Sequence, residues 1–111
     1  MPTPDKLYDE AIELQQAGKL EEAVARLEEL AAVEPDYALA HAALSVFYGK
    51  LGRHDEAIEH GQKVCQLEPD DPFSYMAMSL ICQRAGRPVE AEDAMNQALA
   101  KQWAARNKDE G

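Results

Sequence analysis

Residues 48–58, YGKLGRHDEAI, decide the fold because they place Gly52 five residues before Ala57. The same spacing recurs 34 residues away in both directions, and two prolines share the period: Gly18 with Ala23, Gly86 with Ala91, Pro35 and Pro69. A fixed period of this length indicates one supersecondary unit stacked on copies of itself, rather than a globular enzyme fold. Arrays of this kind usually work as binding surfaces.

Each unit is predicted to form two helices joined by a tight turn. In the first unit, Leu7, Ala11 and Leu14 mark one helical face by their three- and four-residue spacing. Gly18 then ends this helix, because glycine readily takes the left-handed conformation of a helix C-terminus. Pro35 ends the second helix, since proline has no backbone N–H to donate. No alternating apolar run bounded by hairpin turns is present in the sequence, so the predicted fold class is all-α.

Short polar residues ahead of the first helix of each unit are candidate N-caps. We expect Thr3, Asp36 and Asp71 to take this role. Proline follows Thr3 and Asp71 directly, and it suits the first helical position. A further proline, Pro88, is expected to open the last helix of the chain.

These residues resemble the tetratricopeptide repeat family. Its 34-residue unit carries a large, a small and an aromatic residue on the first helix, a glycine at the turn, a small alanine on the second helix, and then a proline. The matching positions in the three units are Leu7, Ala11, Leu14, Gly18, Leu20, Ala23, Leu27, Leu30 and Pro35; His41, Leu44, Ser45, Tyr48, Gly52, Ala57, Val64 and Pro69; and Tyr75, Met78, Ser79, Cys82, Gly86, Ala91, Met95 and Ala98.

The resemblance implies a right-handed α-solenoid of three antiparallel helix pairs. A single domain, 1–111, would then contain repeats at about 4–37, 38–71 and 72–105, followed by a polar tail at 106–111. Two departures from the family pattern stand out. Gly61 occupies a position that is large and apolar in the other two units, and we expect a neighbouring side chain, Tyr75, to fill the gap. Trp103 replaces the last proline, so the final helix is expected to run on past it.

In this family the first helices line a concave surface, and their exposed positions usually hold the ligand. Adding 34 repeatedly to residues on that face gives rows that are largely apolar. The resemblance therefore implies a partner-binding groove made of Tyr8, Ile12, Leu39, Val46, Phe73, Met76 and Leu80. The expected rim of the groove consists of Asp5, Asp9, Gln15, Lys50, Gln83 and Arg84.

An apolar groove suits an amphipathic helix or an extended apolar segment of a partner protein. We therefore expect a protein–protein interaction module, acting as an adaptor, assembly factor or secretion-type chaperone. Chaperone-binding members of the family grip a terminal carboxylate with Lys, Asn and Arg. That mode is not expected here, because the matching positions are Tyr8, Ile12, Ala43, Phe73 and Ala77.

The alternative is a homo-oligomer, such as a homodimer. In it, a second copy occupies either the groove or the uncapped C-terminal end, where Leu99 and Trp103 are the candidate contact residues. A third class is the sensing of a metal or small molecule through the histidines and cysteines. The histidines do not share a helix at metal-binding spacing, so no metal, cofactor or catalytic residue is expected. His41 is expected to be a hydrogen-bonded core ring, and His60 to lie on an exposed face.

The net charge is −10, and ten of the acidic residues lie at or before Asp36. Nucleic acid is not an expected partner, because phosphate binding needs clustered Lys and Arg. No apolar run reaches the ~18 residues needed to cross a bilayer, and the first residues do not resemble a secretory signal. Two cysteines are too few for a disulfide framework, so the expected location is the cytoplasm. A bacterial origin is a further expectation.

Overall fold

The computed structural model describes residues 3–108 of the chain. Within that range it contains six α-helices and no strand: α1 (Pro4–Gln16), α2 (Leu20–Val33), α3 (Ala38–Lys50), α4 (His54–Leu67), α5 (Pro72–Arg84) and α6 (Pro88–Asn107). The predicted fold class is confirmed: the chain is an all-α solenoid of three helix pairs. None of these helices is both long enough and apolar enough to cross a membrane.

The helices pack in chain order. The main contacts within pairs are α1 with α2, α3 with α4 and α5 with α6, while α2 with α3 and α4 with α5 join one pair to the next. The result is an elongated molecule of 47 × 32 × 21 Å. Helix α6 continues past Trp103 to Asn107, as its missing proline predicts. The rest of the predicted polar tail, from residue 109 onward, lies outside the described residues.

The three turn glycines give the repeat its period. Gly18, Gly52 and Gly86 have φ angles of +81°, +77° and +74°, a region that other residues rarely adopt. The residue after each glycine donates its N–H to a carbonyl five residues earlier, as Arg53 does to Tyr48 at 2.9 Å. This hydrogen bond satisfies a carbonyl that a helix end would otherwise leave free. All three turns therefore reverse the chain in the same way.

Two of the three expected N-caps are confirmed. Thr3 accepts a hydrogen bond from the N–H of Lys6, and Asp71 accepts one from that of Phe73. The expectation for Asp36 was wrong, because Tyr37 is the residue that precedes α3. Tyr37 lies 34 residues from both Thr3 and Asp71, so the repeat geometry overrides the local preference of aspartate for this role.

The predicted role of Pro88 is confirmed, since it is the first residue of α6. Like Pro4 and Pro72, it stands where the backbone N–H of a helix has no partner inside the helix. Proline therefore opens three of the six helices without loss of a hydrogen bond.

The space at Gly61 is filled differently from our expectation. A Cβ built on Gly61 would lie 2.8 Å from Met78 Sδ and 3.3 Å from both Ile81 Cδ1 and Ser45 Oγ. Tyr75 does not take this role, and its hydroxyl instead donates to the Pro69 carbonyl at 3.0 Å. The absent side chain thus lets two side chains of α5 approach α4 closely.

Substituting alanine at two helical glycines will separate this packing constraint from helix propensity. Gly49→Ala meets no atom within 4 Å and should stabilise the fold by up to about 1 kcal/mol. Gly61→Ala should raise helix propensity by the same amount, but its Cβ would crowd the Ser45 side chain. Ser45 cannot easily move away, because its hydroxyl donates to the Ala57 carbonyl at 2.8 Å. We expect Gly61→Ala to be less stable than Gly49→Ala by about 1–3 kcal/mol in urea unfolding. Equal stability of the two variants would contradict the tight contact.

Candidate functional site

The predicted groove residues on α3 and α5 are exposed apolar side chains. Leu39, Val46, Phe73 and Leu80 are between 43% and 72% exposed. They form two equivalent pairs, since Leu39 and Phe73, like Val46 and Leu80, are 34 residues apart. The same positions of neighbouring repeats therefore present apolar surface to solvent.

The remaining groove residues are half-buried. Tyr8 and Ile12 pack against the core of the first two repeats, and Met76 is also partly covered. The Tyr8 ring lies 6.3 Å from that of Tyr37, and the Tyr37 hydroxyl donates to Asp5 at 2.7 Å. This hydrogen bond to a carboxylate is the main cause that raises the pKa of Tyr37 to about 12. Within the predicted groove, exposed apolar side chains therefore lie on α3 and α5, while α1 contributes aromatic and acidic groups.

A small pocket lies between α3 and α5 inside the predicted groove. Its volume is about 70 Å³, and Val46, Gly49, Ala77, Leu80 and Arg84 are among the residues that line it. Two of these residues are small, which leaves room for a side chain from outside. His54 also lines the pocket, and its Nδ1 is buried without a hydrogen-bond partner in the described part of the chain. The pocket thus combines apolar walls with one unused polar atom and an exposed cation.

The expected rim residues take several different positions. Arg84 borders the small pocket, Asp5 is bonded to Tyr37, and Lys50 Nζ lies 5.9 Å from the centre of the Phe47 ring. Gln83 instead lines a separate cavity of about 300 Å³ beside Met95 on α6. The structure leaves Asp9 exposed and Gln15 half-buried.

A histidine pair within the second repeat, His41 on α3 and His60 on α4, contacts the first repeat at Pro35 and Glu28, and its formation was not expected from the sequence. His60 was expected on an exposed face, but it is half-buried and stacks between the rings of His41 and Tyr48, with centroids 5.2 and 5.7 Å away. The Nδ1 atoms of the two histidines are 3.0 Å apart. The expectation of a hydrogen-bonded His41 agrees with the structure, since its Nε2 lies 2.7 Å from the Pro35 carbonyl. Sequence spacing could not reveal this pair, because the two histidines are 19 residues apart and lie on different helices.

The proton positions in this cluster follow from its partners. A carbonyl only accepts, so His41 carries its proton on Nε2 and offers a bare Nδ1 to the N–H of His60 Nδ1. The other nitrogen of His60, Nε2, lies 3.3 Å from Glu28 Oε1 and donates to it only when the His60 ring is protonated. The same Glu28 oxygen accepts from the Tyr48 hydroxyl at 2.8 Å. Burial lowers the pKa of His60 below 6.5, and the Glu28 carboxylate opposes this shift.

A cavity of about 580 Å³ lies outside the predicted groove, between α4, α5 and α6. Its walls are mixed: Met78, Cys65 and Cys82 stand with Arg87 and Glu90. Both cysteines are free thiols, and burial raises the pKa of each. Among residues 3–108, no three His, Cys, Asp or Glu side chains are grouped to hold a metal ion.

Fold and exposed surface together define a class of protein, the helical repeat arrays that present an open face to a ligand. A sequence profile of the tetratricopeptide repeat family matches residues 8–72, more than half of the chain. The chain therefore belongs to the tetratricopeptide repeat family, as its sequence pattern predicts. Repeats of this family are generally non-catalytic protein-interaction modules. A comparison with curated proteins finds no match.

Solved structures of other repeat proteins share the fold. A crystal structure of MamA is 24% identical with a TM-score of 0.86, and the match covers 95% of this chain and 61% of that one. MamA from Desulfovibrio magneticus RS-1 is 20% identical with a TM-score of 0.79, over 89% and 56% of the two chains. This chain thus spans about three fifths of the MamA chains.

A third solved structure contains a bound peptide. It is the second TPR of Spaghetti (RPAP3), bound to the HSP90 peptide SRMEEVD. It is 18% identical to this chain, with a TM-score of 0.78, over 87% and 90% of the two chains. At this level of identity the likeness concerns the fold alone.

The histidine cluster should make stability depend on pH. Because the pKa of His60 is lower in the folded than in the unfolded chain, the free energy of unfolding should fall as the pH drops below about 6.5. In Glu28→Gln the supporting carboxylate is gone, so the pKa of His60 should fall further, by about one unit. An NMR titration of the His60 ring measures this. Glu29→Gln, the same charge change on a residue paired with Arg26, is the control and should leave the pKa of His60 almost unchanged.

Proposed function

We propose that this protein is a non-catalytic interaction module that binds an apolar segment of a partner protein across α3 and α5. The observation that carries the proposal is the set of exposed apolar side chains at equivalent positions of neighbouring repeats: Leu39, Val46, Phe73 and Leu80. Exposed apolar side chains grouped in this way favour association with another surface. The small pocket between α3 and α5 adds a place for one anchoring side chain.

The chemistry of the surface favours an apolar ligand segment over an acidic one. The chain has a net charge of −10, which repels acidic segments and nucleic acid. Positions that would clamp a terminal carboxylate hold apolar residues, among them Tyr8, Ile12 and Phe73. An amphipathic helix or extended segment would lay its apolar side chains on Leu39 and Phe73 and insert one anchor beside Val46 and Leu80.

A binding module of this kind would serve as an adaptor, an assembly factor or a secretion-type chaperone. These three roles share one requirement, which is reversible recognition of a short segment in a larger protein. A few anchoring contacts would carry most of the binding free energy. The rival role, self-association at the C-terminal end, uses other residues and is compatible with an open groove.

Selection of peptides from a random displayed library, followed by affinity measurement, tests the groove. We expect selected peptides to be apolar, and to bind Leu39→Glu/Phe73→Glu at least about 30-fold more weakly than wild type, because two anchoring contacts become charged. Val33→Glu/Val89→Glu is the matched control, since both valines are exposed and lie outside the groove. Equal affinity for the groove variant and wild type would contradict the proposal, provided that both melt alike.

The pocket is tested separately by filling it. Ala77 lines the pocket and is exposed, so Ala77→Leu should block entry of a large anchor without disturbing the core. We expect about tenfold weaker binding of the selected peptides, with an unchanged melting temperature. Isothermal titration calorimetry and thermal unfolding provide the two measurements. Undiminished binding by Ala77→Leu would place the anchor elsewhere in the groove.

A further inference from the structure

Helix α6 carries an apolar stripe that no other helix of residues 3–108 covers. It consists of Met95, Leu99 and Trp103, which follow at intervals of four residues and are between 37% and 67% exposed. The equivalents of Met95 in the earlier repeats, Leu27 and Gly61, are buried. The equivalents of Leu99, Ala31 and Cys65, are partly buried and pack against the core. In α2 and α4 this side of the helix therefore packs against the first helix of the next repeat, α3 or α5. No helix in residues 3–108 takes that place on α6.

Helix α1 of a second copy does not suit this stripe. Helix α3 has three buried apolar residues, Ala40, Leu44 and Phe47. The residues at the equivalent positions of α1, 34 residues earlier, are all charged: Lys6, Glu10 and Glu13. Burying these three charged side chains against an apolar stripe is costly. Stacking of copies head to tail is therefore unfavourable, which leaves the stripe of the second copy itself as the self-complementary surface.

Charged residues at both ends of the stripe make it complementary to itself. Glu92 lies one turn before Met95, and Arg106 lies one turn after Trp103. Both are exposed, and neither forms an ion pair with another described residue. At about 100° per residue, Glu92, Arg106 and the stripe fall within an arc of about 80° with Leu99 at its centre.

We infer that the protein forms a symmetric dimer in which α6 packs antiparallel to α6 of a second copy, about a two-fold axis at Leu99. Residues equally distant from Leu99 in opposite directions then meet. Met95 lies opposite Trp103 of the second copy, and Glu92 lies opposite Arg106 of the second copy. Because the interface has two-fold symmetry, each of these contacts occurs twice in the dimer.

The cavity at this end supports the pairing of Met95 with Trp103. Met95, Gln83 and Glu92 are among the residues that line this space of about 300 Å³. The indole of the second copy enters beside the methionine sulfur, and sulfur–aromatic contacts are favourable. The contact from Glu92 to Arg106 is about 21 Å long, because each helical residue rises about 1.5 Å.

The dimer leaves the concave face free. A single helical stripe offers less surface than the ~800 Å² per partner of a typical stable interface. We therefore expect a dissociation constant in the micromolar range. Each dimer presents two grooves, one at either side of the two-fold axis. Dimerisation through α6 is therefore independent of ligand binding in the groove.

Sedimentation equilibrium across protein concentration tests the dimer. We expect wild type to convert from monomer to dimer in the micromolar range. Leu99→Glu places two carboxylates together at the axis and should raise the dissociation constant by at least about 100-fold. Ala104→Glu is the control on the opposite side of α6 and should leave dimerisation unchanged. Circular dichroism must show the same helix content for all variants.

Charge reversal tests the antiparallel register. Glu92→Arg or Arg106→Glu alone sets like charges opposite each other twice, and each should weaken the dimer about tenfold. The double variant E92R/R106E restores both pairs and should dimerise as wild type does. Failure of the double variant to recover would overturn the register.

Three other outcomes would overturn the dimer inference. A monomer at every concentration would remove the dimer, and a dimer insensitive to Leu99→Glu would remove α6 from the contact. A dimer lost in Leu39→Glu/Phe73→Glu would instead place the second copy in the concave groove.

Discussion

The close crossing of two helices within each pair is the constraint on which the whole array depends. Ala23, Ala57 and Ala91 are almost completely buried, because the first helix of the pair passes directly over them. In the second and third pairs a serine of that first helix, Ser45 or Ser79, donates its hydroxyl to the carbonyl of the alanine at 2.8 or 2.7 Å. A larger side chain at the crossing would separate the helices and with them the apolar faces that neighbouring pairs share.

Repetition made the fold predictable from the sequence. The glycine and alanine positions determine turn geometry and helix crossing wherever they occur, so three copies in phase specify six helices. Individual side-chain contacts were less predictable, because they depend on residues that vary between repeats. His60 meets His41 only because α3 and α4 cross, and Tyr75 turns to the Pro69 carbonyl, although its position suggested the Gly61 gap.

In the candidate groove, too, the positions of residues were predictable from the sequence, whereas individual side-chain contacts were not. Periodicity identified which positions of α3 and α5 face solvent, because equivalent residues occupy equivalent places. It could not reveal the small pocket, which exists because Gly49 and Ala77 happen to stand beside each other across two helices. Nor could it show that Tyr8 turns toward Tyr37, since that contact depends on an aromatic residue present in one repeat only.

The apolar core is divided into two clusters that differ in the size of their buried side chains. The first contains the large, fully buried Leu27, Leu30 and Leu44, whereas the second consists of small residues with Ile58, Met78 and Cys82. Ile81 packs against both clusters and connects them. In a linear array each repeat is stabilised by itself and its neighbours alone, so cooperativity between the two halves passes through few side chains. The last helix pair should therefore open and close as a separate unit while the first two stay folded.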